Sequence, residues 1–482
     1  MQNIHKKNLV TIADLSPHEL WRHFAAISGI PRGSYNEEKV ALHIYDLAVS
    51  LGYQAIKDRV NNVLVSLPAT PGYEHLEKIC VQSHTDMVLQ PKKDIFPIEL
   101  FLEGGKVSTN GKSTLGADNG IGVAAMMAIM TDKSFNHGPL ELLFTTIEET
   151  GLEGAKEFDY SLLEAKIIFN LDTEDWGQFC IGCAGGTRFT GKFKPDYSPL
   201  EGEYLKYSIT LSGLLGGHSG VEIHLKRANA IKLMAELLEQ LQWLGVVMAD
   251  LKGGNAANAI PSKVRAVIAI PKENLAKALN AIKIFQEIVS KDYEKESPML
   301  RFRNLKFKGN EKFFSPDSQF GILKLLNEIP DGVITMEPTN KNLVQTSSNV
   351  GIVGFERGSF AVTLLYRSSV ALQIEELESF FKGMFFGNSA IEVSGKYMPW
   401  EPDFNSPLLN IAKLVYEQLF ESEPKVFTIH AGLECAMFFD KIPGVKIISF
   451  GPDIREAHTP REFVDVASVE KFWKLLGALL VA

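Results

Sequence analysis

The sequence predicts an α/β protein, a mostly parallel sheet flanked by helices, with an α+β domain inserted into it. Three observations predict this. From Leu20 to Leu171, short apolar runs alternate with helical periodicity, the order expected of strands joined by crossover helices. The pattern changes after Ala184-Gly-Gly, and the β/α order resumes only at Pro407. In both parts, His, Asp and Glu residues stand just beyond apolar runs, where an open α/β sheet has its ligand crevice.

Each element follows from local pattern. Apolar spacing gives a helix over Leu20–Leu51, broken at Gly29-Ile-Pro-Arg-Gly and resuming at Val40, Leu42, Tyr45 and Leu47. Strands are predicted at Asn62–Leu67 and Ile79–Ser83. The turn Gly116-Ala-Asp-Asn-Gly then opens a helix over Gly120–Met130. Strand Leu140–Ile147, a short helix near Gly154–Asp159 and strand Lys166–Leu171 complete the first part. Within the insert, strands are predicted at Lys206–Ser212, Val264–Ile270, Phe302–Phe307 and Ser359–Tyr366. Amphipathic helices are predicted at Ala228–Leu244, Glu273–Lys291, Gly321–Glu328 and Ile374–Phe386. Pro407–Leu419, Val445–Phe450 and Val469–Leu480 return to the first pattern. The first domain is therefore discontinuous, 1–186 and 398–482, around an insert of 187–397. That insert exceeds one small α+β unit, and two tandem units would fill it.

Composition narrows the function classes. The chain has 482 residues, 45% of them hydrophobic and 22% charged, as in ordinary globular proteins. A net charge of −9 without a Lys/Arg run gives no footprint for nucleic acid. No apolar stretch is long enough to span a bilayer. The first seven residues lack the apolar core of a secretory signal, so a cytoplasmic setting is expected. Four cysteines make no disulfide framework. Cys180-Ile-Gly-Cys183 lacks a second ligand pair for structural zinc and a following helix for thiol exchange, so packing is the expected role.

Five segments carry the chemistry. His84-Thr-Asp86 follows a strand, and residues two apart share a face; His84 can ligate while Asp86 accepts from its other ring nitrogen. A polar strand end is the competing explanation. Asp118 sits between glycines that permit close approach, placed to bridge two ions or else to cap a helix. Glu148-Glu149 are adjacent carboxylates after a buried strand, costly without a counter-charge. On an extended segment they face opposite ways, so Glu149 can bind metal while Glu148 acts as general base; a solvated acidic loop is the alternative. Asp172 ends the next strand, with Glu174 its rival. His458 lies in a loop after the strand 445–450. Together these fit two divalent ions, His84 and Asp172 on one, Glu149 and His458 on the other, Asp118 bridging. Such a pair shares a water whose pKa falls to about 7, and Glu148 takes its proton. Zinc, manganese and cobalt all suit this donor set.

These motifs resemble the aminoacylase/carboxypeptidase-type di-zinc metallopeptidases, above all their aminoacyl-histidine (Xaa-His) dipeptidase branch. The likeness extends over essentially the whole chain, including Leu215-Gly-Gly-His-Ser-Gly220, Gly253-Gly-Asn-Ala-Ala-Asn-Ala-Ile-Pro261 and His430-Ala-Gly-Leu-Glu-Cys435. One departure is Ala436-Met437, where the family pattern has glycine first. The resemblance implies a zinc-exopeptidase-like catalytic domain with an inserted lid domain. It also implies two zinc ions, unblocked dipeptide substrates with a C-terminal histidine among others, and room for a homodimer. By the same resemblance His218 contacts the substrate carbonyl oxygen, Asn258 and Arg367 grip the substrate, and Gly432, Leu433 and Glu434 line the pocket. An Arg fork suits a C-terminal carboxylate. An N-acyl amino acid amidohydrolase on the same scaffold is the competing enzyme, and a binding protein without turnover the competing non-enzyme. The large insert and the His-Ala-Gly-Leu-Glu segment argue against the former, and intact ligands against the latter.

Overall fold

The computed structural model describes residues 2–91, 95–309, 311–338, 341–385 and 389–482. It divides into two compact units. One comprises Met1–Cys183, Trp400–Thr428 and Leu433–Ala482, the other Ala184–Pro399 and Ile429–Gly432. Residues 429–432 thus group with the second unit, although the sequence pattern assigned all of 398–482 to the first. The reason is local: the Ala184 N–H donates to the Ile429 carbonyl, and His430 Nε2 lies 2.7 Å from Ser347 Oγ.

The first unit is built on an eight-stranded sheet. Its order is Gln54–Lys57, Val63–Leu67, Leu140–Thr145, Ile79–His84, Ile167–Asn170, Lys446–Ser449, Gln178–Cys183, Lys425–Ile429. The four strands from Leu140–Thr145 to Lys446–Ser449 are mutually parallel. They are buried along nearly their whole length, as strands covered on both faces must be. Outside them the sheet turns antiparallel, a mixed sheet around the expected parallel centre. The cause at one side is a connection of only 58–62, too short for a crossover. Gln54–Lys57 escaped sequence detection because its alternate residues are exposed.

Helix Ala117–Thr131 is buried throughout 117–130 and packs on Ile79–His84 and on helix His18–Ile27. Leu20–Leu51, predicted as one interrupted helix, is two helices, His18–Ile27 and Glu38–Ser50. Residues 28–37 between them carry polar groups that serve the site below. A further helix, Gln2–Thr11, had no clear apolar periodicity.

The second unit contains a nine-stranded sheet, two short two-stranded ones and an apolar cluster of its own. Eight strands of the large sheet fall into two β-α-β-β-α-β sets. The first set is Tyr204–Ser212, helix Ala230–Gln242, Val247–Gly253, Val264–Pro271, helix Leu275–Asp292 and Met299–Leu305. The other set is Gly185–Phe193, helix Pro316–Glu328, Val344–Glu356, Ser359–Ser368, helix Ala371–Met384 and Ala390–Tyr397. With strands numbered along each set, both show the spatial order 4-1-3-2, and the two second strands meet at the Gly253↔Val353 pair. The sets are nested, not tandem, because 204–305 interrupts the other after its first strand. The predicted helix Ile374–Phe386 ended on a residue outside the described set; the helix observed is Ala371–Met384.

Candidate metal centre

The carboxyl ends of the parallel strands deliver the site. His84 closes its strand, Asp172 follows Asn170 by two residues, Glu148 and Glu149 follow Thr145, and His458 lies in the loop beyond Ser449. Asp118 enters from the side, in an extended conformation (φ −81°, ψ 112°) inside the first turn of Ala117–Thr131. It stands between the two imidazoles. His84 Nε2 is 3.2 Å from Asp118 Oδ1 and 3.2 Å from Asp172 Oδ1. His458 Nε2 is 3.0 Å from Asp118 Oδ2 and 2.9 Å from Glu149 Oε1. The predicted ligands therefore form two triads sharing Asp118, His84–Asp118–Asp172 and Asp118–Glu149–His458, while Glu148 joins His84 and Glu149 in a third group. Glu174 belongs to none of these groups.

The backbone after Thr145 is not extended, contrary to the sequence argument for the Glu148-Glu149 pair. Ile147 has φ +53°, and the chain turns there. Asp86 holds that turn: the Glu148 N–H donates to Oδ1 at 3.0 Å and the Glu149 N–H to Oδ2 at 3.2 Å. Its Oδ1 is also 3.4 Å from His84 Nδ1, and Ser34 Oγ donates to Oδ2 at 2.8 Å. One carboxylate orients a strand-end histidine and both glutamates together.

Negative charge dominates. Burial opposes protonation of His84, yet Asp172, Asp118 and Asp86 outweigh it and hold its pKa well above the usual imidazole range. At His458 burial is likewise overcome, by Asp118 and Glu149, and the pKa rises to about 11. Burial, reinforced by Asp172, Glu149 and Glu434 and only partly offset by His84, pushes Glu148 far up. Glu149 and Asp172 are raised for the same primary reason. A cluster so short of cations calls for positive charge from outside the chain.

The residues present fit a pair of divalent metals. Ligands about 2.0–2.1 Å from a tetrahedral ion lie roughly 3.3 Å apart, close to the 2.9–3.2 Å separations found here. Glu149 Oε1 is buried and accepts no hydrogen bond of proper geometry despite its nearness to His458. Two side chains aimed at one point, rather than at each other, give that arrangement.

The second unit gathers His218, Asn258, Arg367 and Gly432, whereas Glu434 lies in the first. His218 pairs with Ala259 across a two-residue bridge, beside exposed Asn258. His218 Nδ1 accepts the N–H groups of Gly220 and Val221 at 3.1 and 3.2 Å, which leaves the proton on Nε2. Burial, then the charge of Arg367, lowers its pKa, so the ring is a neutral Nε2–H donor. Arg367 is 6% exposed; its Nη1 donates to Tyr397 Oη at 2.7 Å while Nε lacks a partner. Gly432 lies against the same tyrosine, whose Oη would sit 2.8 Å from a Cβ there. Glu434 corrects the sequence expectation. It is 0% exposed and lines no open pocket; instead Oε2 accepts from Gln82 Nε2 at 2.6 Å and Thr145 Oγ1 at 2.7 Å. Burial lifts its pKa to about 8.

A family model, peptidase family M20/M25/M40, matches residues 80–482. The chain belongs to that family. It is a metallopeptidase of the M20 type by that membership and by its ligand cluster. Among curated relatives, the cytosol non-specific dipeptidase of Escherichia coli (strain K12) is 35% identical, covering 97% of this chain and 98% of the relative. Among solved structures, aminoacylhistidine dipeptidase from Vibrio alginolyticus superposes with a TM-score of 0.86 at 33% identity, covering 97% of both chains. Aminopeptidase PepT from Bacillus cereus ATCC 10987 shares the fold at a TM-score of 0.57 and 16% identity, covering 97% of this chain and 98% of its own.

The M20 site also uses side chains that sequence reasoning passed over. Asn119 Nδ2 donates to Asp172 Oδ1, and Glu37 Oε1 accepts the Ile147 N–H at 3.0 Å. Arg32 and Glu462, 0% and 1% exposed, flank the Asp118 turn. Two signals could have found them: a charged residue inside the helix break 29–33, and a carboxylate four residues after a candidate ligand histidine.

Proposed function

We propose that this chain is a di-zinc dipeptidase hydrolysing Xaa-His and related unblocked dipeptides. The observation that carries the metal chemistry is the double approach to Asp118, one oxygen facing His84 and the other His458. Dipeptidase action is supported by relatives that match nearly end to end. Xaa-His preference rests on the Vibrio alginolyticus likeness, and zinc on the mixed imidazole and carboxylate donors. The cytosol named for the Escherichia coli relative supports the same compartment here. Among the described residues no helix is long and apolar enough to cross a membrane.

His84, Asp118 and Asp172 would hold one ion, and Glu149, His458 and the shared Asp118 the other. When bound, such a pair lowers the pKa of a water toward 7 and polarises a carbonyl. Glu148, beside the ligands but in neither ion's proposed set, accepts the proton of the attacking water and returns it to the leaving amine. Asp86 fixes that glutamate by accepting the Glu148 backbone N–H. We assign the second unit as a lid. There the Nε2–H of His218 meets the scissile carbonyl oxygen, Arg367 pairs with the terminal carboxylate, and Asn258 and Gly432 border the substrate. Tyr397 accepts from Nη1 and so holds the Arg367 guanidinium in place, a fork suited to a carboxylate.

The test is hydrolysis of a dipeptide panel beside N-acetyl amino acids, with purified chain before and after chelation. Expected is cleavage of free dipeptides, lost on chelation and restored by Zn2+. Cleavage of acetylated amino acids alone would make the chain an amidohydrolase instead.

A further inference from the structure

The first turn of Ala117–Thr131 begins at Gly116 in the left-handed region (φ +71°) with no capping side chain of its own. A helix start leaves backbone N–H groups without partners, and here four of them converge on one distant carboxylate. Glu462 Oε2 accepts from Leu115 at 2.8 Å and Gly116 at 3.0 Å, and Oε1 from Ala117 at 2.7 Å and Asp118 at 3.4 Å. Successive N–H groups around a left-handed residue form a nest for an anion. The far side of the turn is held by Arg32, which donates to the Gly116 carbonyl, and to those of Thr85 at 3.1 Å and Asp86 at 3.4 Å. There is no slack: a Cβ on Gly116 or Gly120 would stand 2.5 or 2.6 Å from Arg32 Nη2.

Both arms reach the metal ligands. Arg32 ties the Asp118 turn to the segment just past His84. Glu462 lies four residues after His458, in the same loop, and its own N–H returns to the Thr459 carbonyl. A carboxylate placed in this acidic surrounding is costly, and four amide donors with a facing guanidinium offset that cost. A neutral cap would hold the turn without the cost.

We propose that Glu462 is a positioning residue for the metal pair, locking Asp118 and His458 into one unit so that Asp118 serves both ions. Arg32 is its counterpart on the other face. This rests on the two-metal assignment above. Asp118 carries its two oxygens in opposed directions only while its backbone stays extended, and the Glu462–Arg32 clamp prevents that turn from winding into regular helix.

Stripped full-length chain titrated with Co2+, followed by its visible absorption, tests this. Wild type is expected to bind two Co2+ per chain. Glu462→Gln, which puts an amide donor against the nest, is expected to keep the first and bind the second about tenfold or more weakly, with an altered band. Glu462→Asp should recover part of that affinity. Glu462→Gln chain with wild-type stoichiometry, affinity and spectrum, differing only in melting temperature, overturns the inference. If Glu462→Gln does not fold, Glu462→Asp decides: an unchanged second affinity overturns it, a weakened one supports it. Wild-type chain that takes up no Co2+ overturns the two-metal assignment and this inference with it.

Discussion

Glu148 and Glu149 are neighbours with different fates, and Asp86 separates them by anchoring each backbone N–H to a different oxygen. Replacing Glu148 by Ala removes the proposed proton acceptor and spares the proposed ligands. Turnover is expected to fall roughly 10²–10⁴-fold with two metals retained by elemental analysis; loss of metal would mean the two roles are reversed. At Arg367, substitution by Ala removes the proposed charge-assisted contact to the substrate carboxylate. KM for free dipeptides should rise roughly ten- to hundredfold with kcat little changed, and unchanged kinetics would retire the clamp. The proposed ligands were legible in sequence because they stand at or past the end of an apolar run or, for Asp118, in a Gly-flanked turn opening a helix. Glu434 was misplaced because its motif neighbours a loop; only coordinates show it turned inward to Gln82 and Thr145. Glu462 was missed because its partners are backbone N–H groups; its place four residues after His458 was the one hint the sequence held.

Among elements, the parallel strands were readable from their continuous apolar runs, and helices from spacing, to within a few residues. Strands such as Val247–Gly253 and Ala390–Tyr397 were not, since partial exposure weakens their pattern. Their nested pairing depends on contacts far apart in sequence. The joint between the two sets is tight: Gly254 has φ +71°, and a Cβ there would stand 1.8 Å from the Gly351 carbonyl oxygen. Gly254→Ala should destabilise the second unit by about 1–3 kcal/mol, read by denaturant unfolding; a neutral result would mean the joint yields freely. Asp331 joins the same region, accepting from Val350 N–H at 2.7 Å and Asn229 Nδ2 at 2.9 Å. Burial raises its pKa from 3.8 to about 6, against those donors and Lys232. A carboxyl raised on folding contributes fully below about 3.8, and that contribution is lost as pH climbs through about 6. Asp331→Asn should therefore flatten the fall of stability between those values, measured by unfolding at a series of pH. Identical slopes would show that the group does not titrate there.

At the scale of the whole molecule, the first unit is drawn from both ends of the chain, with 184–399 between. His84, Asp118, Glu149 and Asp172 all precede that insertion, and His458 follows it. A ribosome thus releases four of the five proposed ligands before the insertion is made and the fifth only after it. Domains fold as they emerge, so the growing polypeptide lacks one proposed ligand while 184–399 is being made. Proteolytic competence can arise only once the segment around residue 458 has left the ribosome, behind the whole of the intervening unit.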